Sequence, residues 1–393
     1  MDRAGVHVVS SSGPGRTHQR EVSGLAVLCL LLAACSGPAP HEPPQLSPAQ
    51  AHALILRLLP PGVPDSNGWA TDVYAAFAAI DIAPTPQNVC AVLAVAQQES
   101  GFQADPLIPG LPAIAWKEID ARAGKAGVPV ALVRAALLLP SANGKSYAER
   151  IDHARSERDL STIYDDMVEA VPGGHLFLAE RNPIRTAGPM QVSVAFAESY
   201  AAAHPYPYPI DRTLRRETFT RHGSVYFGTA HLLDYSAGYD RLLYRFADYN
   251  AGRYASRNAA FQSALSLASG IPLVADGDLL NSGKAGSDAP TATELAARVA
   301  GRRLGLSEGD VHDDLERGQT EEFERTGLYQ KVFAQADQFQ GHPVSRALVP
   351  AIVLKGPKIS HHLTTAWYAG RVEEHYERCM QRSPAAAQDQ GER

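Results

Sequence analysis

Proline and glycine cut this 393-residue chain into stretches whose apolar residues recur at helical spacing, and through residue 270 helix candidates outnumber strands several-fold. Ser47-Pro48 opens the first stretch, in which Ala51, Leu54, Ile55, Leu58 and Leu59 fall at helical spacing before Pro60-Pro61-Gly62-Val63-Pro64 stops it. Residues 69–81 and 87–98 follow, the second almost wholly apolar. Further helices are expected around 113–123, 128–138 and 146–170, and then at 190–203, 213–236 and 238–248. Residues 271–290 are rich in Gly, Asp, Ser and Pro and mark a linker or a long surface loop. Beyond them 291–383 forms a C-terminal helical region, with a short β-branched strand expected at 347–354 and an amphipathic helix at 359–381. The pattern predicts a mainly α fold with few or no long strands and a disordered tail at 384–393.

Composition narrows the partners. Hydrophobic residues at 45% and charged residues at 20% are ordinary for a globular chain and exclude disorder over most of it. The net charge of −6 leaves no basic surface, and the Arg-dense stretches (Arg212, Arg215, Arg216, Arg221; Arg298, Arg302, Arg303) are short and interrupted. Nucleic-acid affinity depends on clustered positive charge, so nucleic acid is not an expected partner. Four cysteines are too few for a disulfide-dense scaffold or a multi-cysteine metal cluster. The adjacent His361 and His362 would point to different faces of a strand or a helix, and no His-x-x-x-His or Cys-x-x-Cys spacing occurs, so neither metal nor cofactor is expected.

The N-terminus reads as an address. Arg3, Arg16 and Arg20 precede an uncharged apolar run of ten residues, 25–34. A hydrocarbon-spanning helix needs about 20 residues, so this run matches the apolar region of an export signal rather than an anchor. The junction Leu32-Ala33-Ala34-Cys35 resembles the lipobox of bacterial lipoproteins, which implies a signal peptide over 1–34 and an acylated Cys35. Ser36 resembles the residue that follows the modified Cys in outer-membrane-directed lipoproteins, so the resemblance implies lipid anchoring at the outer membrane, facing the periplasm. Pro38, Pro40, Pro43, Pro44 and Pro48 make residues 35–48 a tether. Cys90 and Cys379 are then left either to pair in an oxidising compartment or to stay as buried free thiols.

Three segments carry chemistry. Glu99 ends an apolar helix in Gln97-Gln98-Glu99-Ser100-Gly101-Phe102, and desolvation favours the neutral form of such a carboxyl, which suits a general acid. Thr186-Ala187-Gly188-Pro189-Met190-Gln191-Val192 and Phe246-Ala247-Asp248-Tyr249-Asn250-Ala251-Gly252 read singly as helix punctuation. In this order the three resemble the signature of the lytic transglycosylases of the goose-type lysozyme superfamily, and 225–233 resembles a further helix of that family. The resemblance covers roughly residues 70–262. It implies a lysozyme-like catalytic domain over 49–270, with Glu99 as catalytic acid and base. Ser100, Gln191, Tyr249 and Asn250 would line a sugar-binding cleft, with Met190 packed beneath it.

Two departures matter. Pro189 stands where the family has Leu, fixing φ and removing a donor. Glu99 and Gly188 lie 89 positions apart, which implies an inserted helical subdomain over about 104–185. Glu180 is the competing acid, in a charged and Pro-broken context that favours a solvated carboxylate. The family route uses one carboxyl: Glu99 protonates the glycosidic oxygen of peptidoglycan, then takes the proton of the sugar's C6 hydroxyl as a 1,6-anhydro ring closes. Tyr249 would hold either the acid or the substrate's acetamido group. A hydrolytic muramidase and a non-catalytic scaffold, docking an envelope protein through the insertion or the C-terminal helices, are the competing readings.

Overall fold

A computed structural model describes residues 46–172, 182–280, 289–354 and 363–384. The expected signal peptide, Cys35, most of the tether, Glu180, the His361-His362 pair and nearly all of the expected tail lie outside the described residues. Among the described residues there are 16 α-helices and one two-stranded sheet, so the fold is mainly α. No helix among them is long and apolar enough to cross a membrane.

Polar caps set most helix starts. Helix α1 (Pro48–Leu58) has a full capping box of Ser47 and Gln50, and Pro48 occupies its first turn. Helices α2 (Ser66–Ala79) and α3 (Pro86–Ser100) begin at Asp65 and Thr85, whose side chains accept backbone N–H groups of the first turn. Every residue of α3 from Val89 to Ala96 is buried, as suits a helix enclosed by others, and Gly101 in the left-handed region ends it.

The expected insertion, 104–185, contains α4 (Leu111–Lys125), α5 (Val130–Leu137), α6 (Tyr147–Asp152) and α7 (Glu157–Ala170), which surround a small core of Leu111, Leu137, Tyr147, Ile151 and Ile163. The continuous helix expected over 146–170 is two helices, because Ser156 starts α7 with a second capping box. The chain then makes a hairpin of β1 (Thr186–Ala187) and β2 (Val192–Ser193), with Ala187 paired to Val192.

The helix expected from residue 190 starts only at α8 (Val194–Ala203), because Gln191 holds a positive φ of 49° that a helix cannot continue through. Pro189 and Met190 therefore belong to the hairpin loop. The 213–236 stretch likewise divides at the cap Thr220 into α9 (Leu214–Thr218) and α10 (Arg221–Leu233). Helices α11 (Leu242–Ala251) and α12 (Ala255–Ser269) follow. Then come α13 (Ala292–Arg303), α14 (Glu308–Glu316) and α15 (Gly327–Gln340), and finally α16 (Thr365–Met380).

The expected strand at 347–354 does not form. Only Val353 makes a bridge, to Thr364, while Leu348 and Ala351 hydrogen-bond isolated carbonyls of Ser256 and Ala275. β-branched composition without a neighbouring strand to complete the ladder yields extended coil.

Two larger cores result, and their boundary differs from the expected domains. One joins α1–α3, Met190, Val192, α8, α10 and α11 to Tyr368, Ala369, Val372 and Cys379 of α16. The other packs α12 against α13–α15. The last helix of the expected C-terminal region is thus part of the core around Glu99, while the end of the expected catalytic domain, α12, belongs to the second core. Helix α16 packs along α3 and α11, and its buried positions 365, 368, 369 and 372 recur at helical spacing.

A Cys90–Cys379 disulfide joins α3 to α16 across 289 positions of sequence, with Cα atoms 5.5 Å apart. Arg382, just past α16, ties that end of the chain to α1 by donating to the Leu58 carbonyl at 3.0 and 2.8 Å. Closing so long a loop restricts the unfolded chain, so replacing both cysteines by Ala should cost about 2–4 kcal/mol. Urea unfolding of the oxidised protein and the double variant checks this; superimposable curves would show that the packing of α16 holds without the bond.

Candidate active site

The hairpin loop is built around two close approaches. Gly188 has φ 67°, and a Cβ there would lie 2.5 Å from the Thr218 carbonyl oxygen and 2.6 Å from Ser224 Cβ. Gln191 donates its backbone N–H to the Gly188 carbonyl at 3.0 Å, closing the loop. Met190 is fully buried, its N–H donated to Ser224 Oγ at 3.0 Å and its thioether seated against Gly228, where any Cβ would collide with it. The residues of this loop are therefore fixed by backbone geometry, and α10 supplies the floor.

A cleft of about 1470 Å³ opens over that floor, and Glu99, Gln191, Tyr249 and Asn250 all line it. Glu99, at the C-terminal end of α3, accepts a hydrogen bond from Tyr368 Oη at 2.6 Å. Tyr249, on α11, donates its hydroxyl to the Met190 carbonyl at 2.7 Å. The Tyr249 hydroxyl proton is thus directed to the hairpin, while the Tyr368 hydroxyl is directed to Glu99. Burial, and after it the Glu99 charge, push both phenols well above their ordinary ionisation range, so both stay protonated.

Gln191 is held on three sides. Its Oε1 accepts from Thr186 Oγ1, and its Nε2 donates to the Gly188 carbonyl at 3.3 Å and to Glu157 Oε2 at 3.0 Å. Asn250 accepts from Thr365 Oγ1 at 3.0 Å through Oδ1. Ser100, expected in the cleft, instead turns its hydroxyl back to the Ala96 carbonyl one turn earlier in α3. Among the described residues no group of three or more His, Cys, Asp or Glu side chains is placed to hold a metal ion.

Three residues at the cleft are not singled out by the sequence, although His231 falls within the 225–233 segment. Glu157 reaches it from the insertion, Tyr368 approaches Glu99 from α16, and His231 lines it from α10. The His231 ring stands edge-on between Phe196 and Tyr249, with centroids 4.6 and 5.0 Å away. Its Nδ1 is shielded from solvent and has no hydrogen-bond partner. Burial, helped by the nearby Arg253 guanidinium, lowers its pKa to about 4. Sequence signals for these three are weak. Tyr368 is visible only as one apolar position of an amphipathic stretch, and His231 only as part of a buried helix.

The opposite wall of the cleft belongs to the insertion and is largely aliphatic, including Leu111, Ile114, Ile119, Leu132, Leu160 and Met167. These features define a mainly α protein with Glu99 at the end of a buried helix, in a largely apolar cleft that Glu118 and Glu157 also line. The chain belongs to the DUF1615 family, described as a protein of unknown function, whose model matches residues 62–382. It is 48% identical over 361 residues to the uncharacterized protein YaiW of Escherichia coli (strain K12), covering 91% of this chain and 98% of that relative. No solved structure matches it.

Two outcomes follow from this geometry. Gly188→Ala should destabilise by about 2 kcal/mol or more, since it combines a disfavoured φ with a backbone collision; chemical unfolding measures it, and wild-type stability would contradict the close packing. The second concerns acid. Below pH 6.5 the unfolded chain protonates His231 while the folded one stays neutral until about pH 4, so protons favour unfolding across that window. Stability should fall by on the order of 2 kcal/mol on acidification from pH 6.5 to 4, and His231→Gln should flatten that part of the profile.

Proposed function

We propose that this protein is a peptidoglycan lytic transglycosylase that works from a lipid anchor on Cys35 at the outer membrane, facing the periplasm. The observation that carries the reading is the convergence of Glu99, Gln191, Tyr249 and Asn250, drawn from three separate sequence segments, in one cleft. A coincidental likeness of three short motifs gives no reason for them to meet.

Glu99 is the general acid. It protonates the oxygen of the β-1,4 bond between N-acetylmuramic acid and N-acetylglucosamine as the C1–O bond breaks, and the substrate's own acetamido group steadies the developing charge. The resulting carboxylate takes the proton from the C6 hydroxyl while O6 bonds to C1, closing the 1,6-anhydro ring and returning Glu99 to its acid form. A single carboxyl suffices for this cycle, in contrast to the paired carboxylates of ordinary glycosidases. The aliphatic wall favours this outcome because it limits water at the reacting carbon. Gln191 and Asn250 offer amide groups to the sugar rings, and Tyr249 stiffens the hairpin that presents Gln191.

Digestion of purified sacculi by the lipid-free protein, with products resolved by mass, tests the reading. Anhydro-ended muropeptides should appear with wild type and fall by roughly 100-fold or more with Glu99→Gln. Reducing ends dependent on Glu99 would instead mark a hydrolytic muramidase. Absence of any release would leave a scaffold that retains the cleft.

A further inference from the structure

We propose that the aliphatic end of the cleft, between α4, α5 and α7, binds one acyl chain of an anionic phospholipid that enters across the exposed edge of α5. The proposal does not depend on the role given to Glu99.

The lining carries it. Ile114 and Ile119 of α4, Leu132 and Val133 of α5, and Leu160 and Met167 of α7 line the cleft, and each keeps part of its surface exposed. Two charged groups beside them, Glu118 and Arg122, are paired with each other at 2.7 Å. At about 1470 Å³ the cleft exceeds the ~300–1,000 Å³ of ordinary small-molecule sites, which leaves room for a chain beyond the Glu99 end. Polar braces keep the helices from closing over this space. Arg134 of α5 donates to Asp120 of α4 at 3.2 and 2.7 Å, Trp116 Nε1 of α4 to Asp152 of α6 at 2.7 Å, and Arg150 of α6 to Asp166 of α7 at 2.7 Å. An aliphatic space held open in this way gives water few hydrogen bonds and takes apolar guests.

The stretch around α5 says where the guest comes from. Leu132 and Val128 line the cleft and are 63% and 38% exposed, and Leu138 and Leu139, directly beyond α5, are 68% and 61% exposed without lining it. Soluble proteins rarely leave so much aliphatic surface in water without a use. The same stretch is basic: from Leu111 to Ser146 five Lys or Arg stand against two acids, in a chain whose net charge is −6. The two acids pair with Arg122 and Arg134, which leaves Lys117 and Lys125 exposed and without an ion pair among the described residues. Exposed leucines beside such lysines suit an anionic lipid surface, where the cations meet headgroups and the apolar side chains meet acyl chains. A free glycan gains little from either.

The test titrates the non-acylated chain, cleared of copurified lipid, with octanoyl, decanoyl and dodecanoyl monoacyl phosphatidylglycerols below their micelle concentrations. Affinity should rise about fourfold for each added CH₂. Leu132→Gln should weaken binding of the dodecanoyl lipid roughly tenfold. Ala136→Trp, at an exposed position of α5 that lines the cleft, fills the space and should abolish binding. Leu138→Gln with Leu139→Gln, outside the cleft, should leave the affinity for these monomers unchanged but slow extraction of a fluorescent phospholipid from phosphatidylglycerol vesicles. Affinity that ignores chain length, or undiminished binding by Ala136→Trp, overturns the proposal. Adsorption to the vesicles without any binding of monomers also overturns it and leaves α5 as a surface contact only. An unchanged extraction rate overturns entry across α5.

Discussion

The contact between α3 and α16 is the constraint on which the rest of the molecule depends. Helix α3 is buried on every side from Val89 to Ala96, so its cylinder has to be walled by other helices, and α16 supplies the wall nearest Glu99. A partly buried carboxyl at the end of such a helix is stabilised by hydrogen bonds donated to it. Tyr368 donates one of them, and the Cys90–Cys379 bond ties the helix of that phenol to α3. Core formation and site formation are in this sense one event. The hydrophobic face that docks α16 is the face that carries the phenol.

A second buried network fixes the helix that carries Tyr249 and Asn250. Asp248, next to Tyr249, accepts from the Tyr239 and Tyr235 hydroxyls at 2.7 and 3.1 Å and from the backbone N–H groups of Tyr254 and Ser256 at 3.0 and 2.6 Å. Burial pushes its carboxyl upward, and these four donors oppose that push. They also turn the chain sharply between α11 and α12. Arg257, fully buried at the start of α12, then reaches the Gly318 and Thr320 carbonyls and stacks on Tyr254 and Phe323. The two larger cores are therefore coupled through polar groups whose hydrogen bonds leave little freedom, and Tyr249 and Asn250 sit on the last turn before that coupling.

Much of this was legible in the sequence, and the failures share one cause. The α class and most helix positions follow from period and punctuation, and four of the six residues singled out by motif line one cleft. What went astray depends on partners far along the chain. The 347–354 segment has strand composition but no ladder beside it. Met190 and Gln191 look like a helix start until the hairpin and the positive φ of Gln191 are seen. Ser100 has a motif address, but its hydroxyl finds a nearer acceptor in its own helix. Tyr368 has no address at all, since nothing local distinguishes a phenol that packs from one that donates to a residue 269 positions away.

The helices α4–α7 give the cleft a second face. On one face are the acid and the amides, fixed by the hairpin and by α16; on the other are side chains of Leu, Ile and Met. The faces are not independent, because Glu157 of α7 bonds Gln191 of the hairpin, and Arg158 donates to the Phe219 carbonyl just before α10. Asp166 adds a further tie, paired with Arg150 within the insertion and with Arg216 of α9. A wall held by several charge-assisted bonds is not a loosely tethered flap. Among its aliphatic side chains the wall also carries Glu118, Arg122 and Glu157, so both faces of the cleft hold polar groups. What the wall supplies is apolar surface beside Glu99, and a lower local dielectric strengthens a hydrogen bond such as the one Tyr368 donates to it.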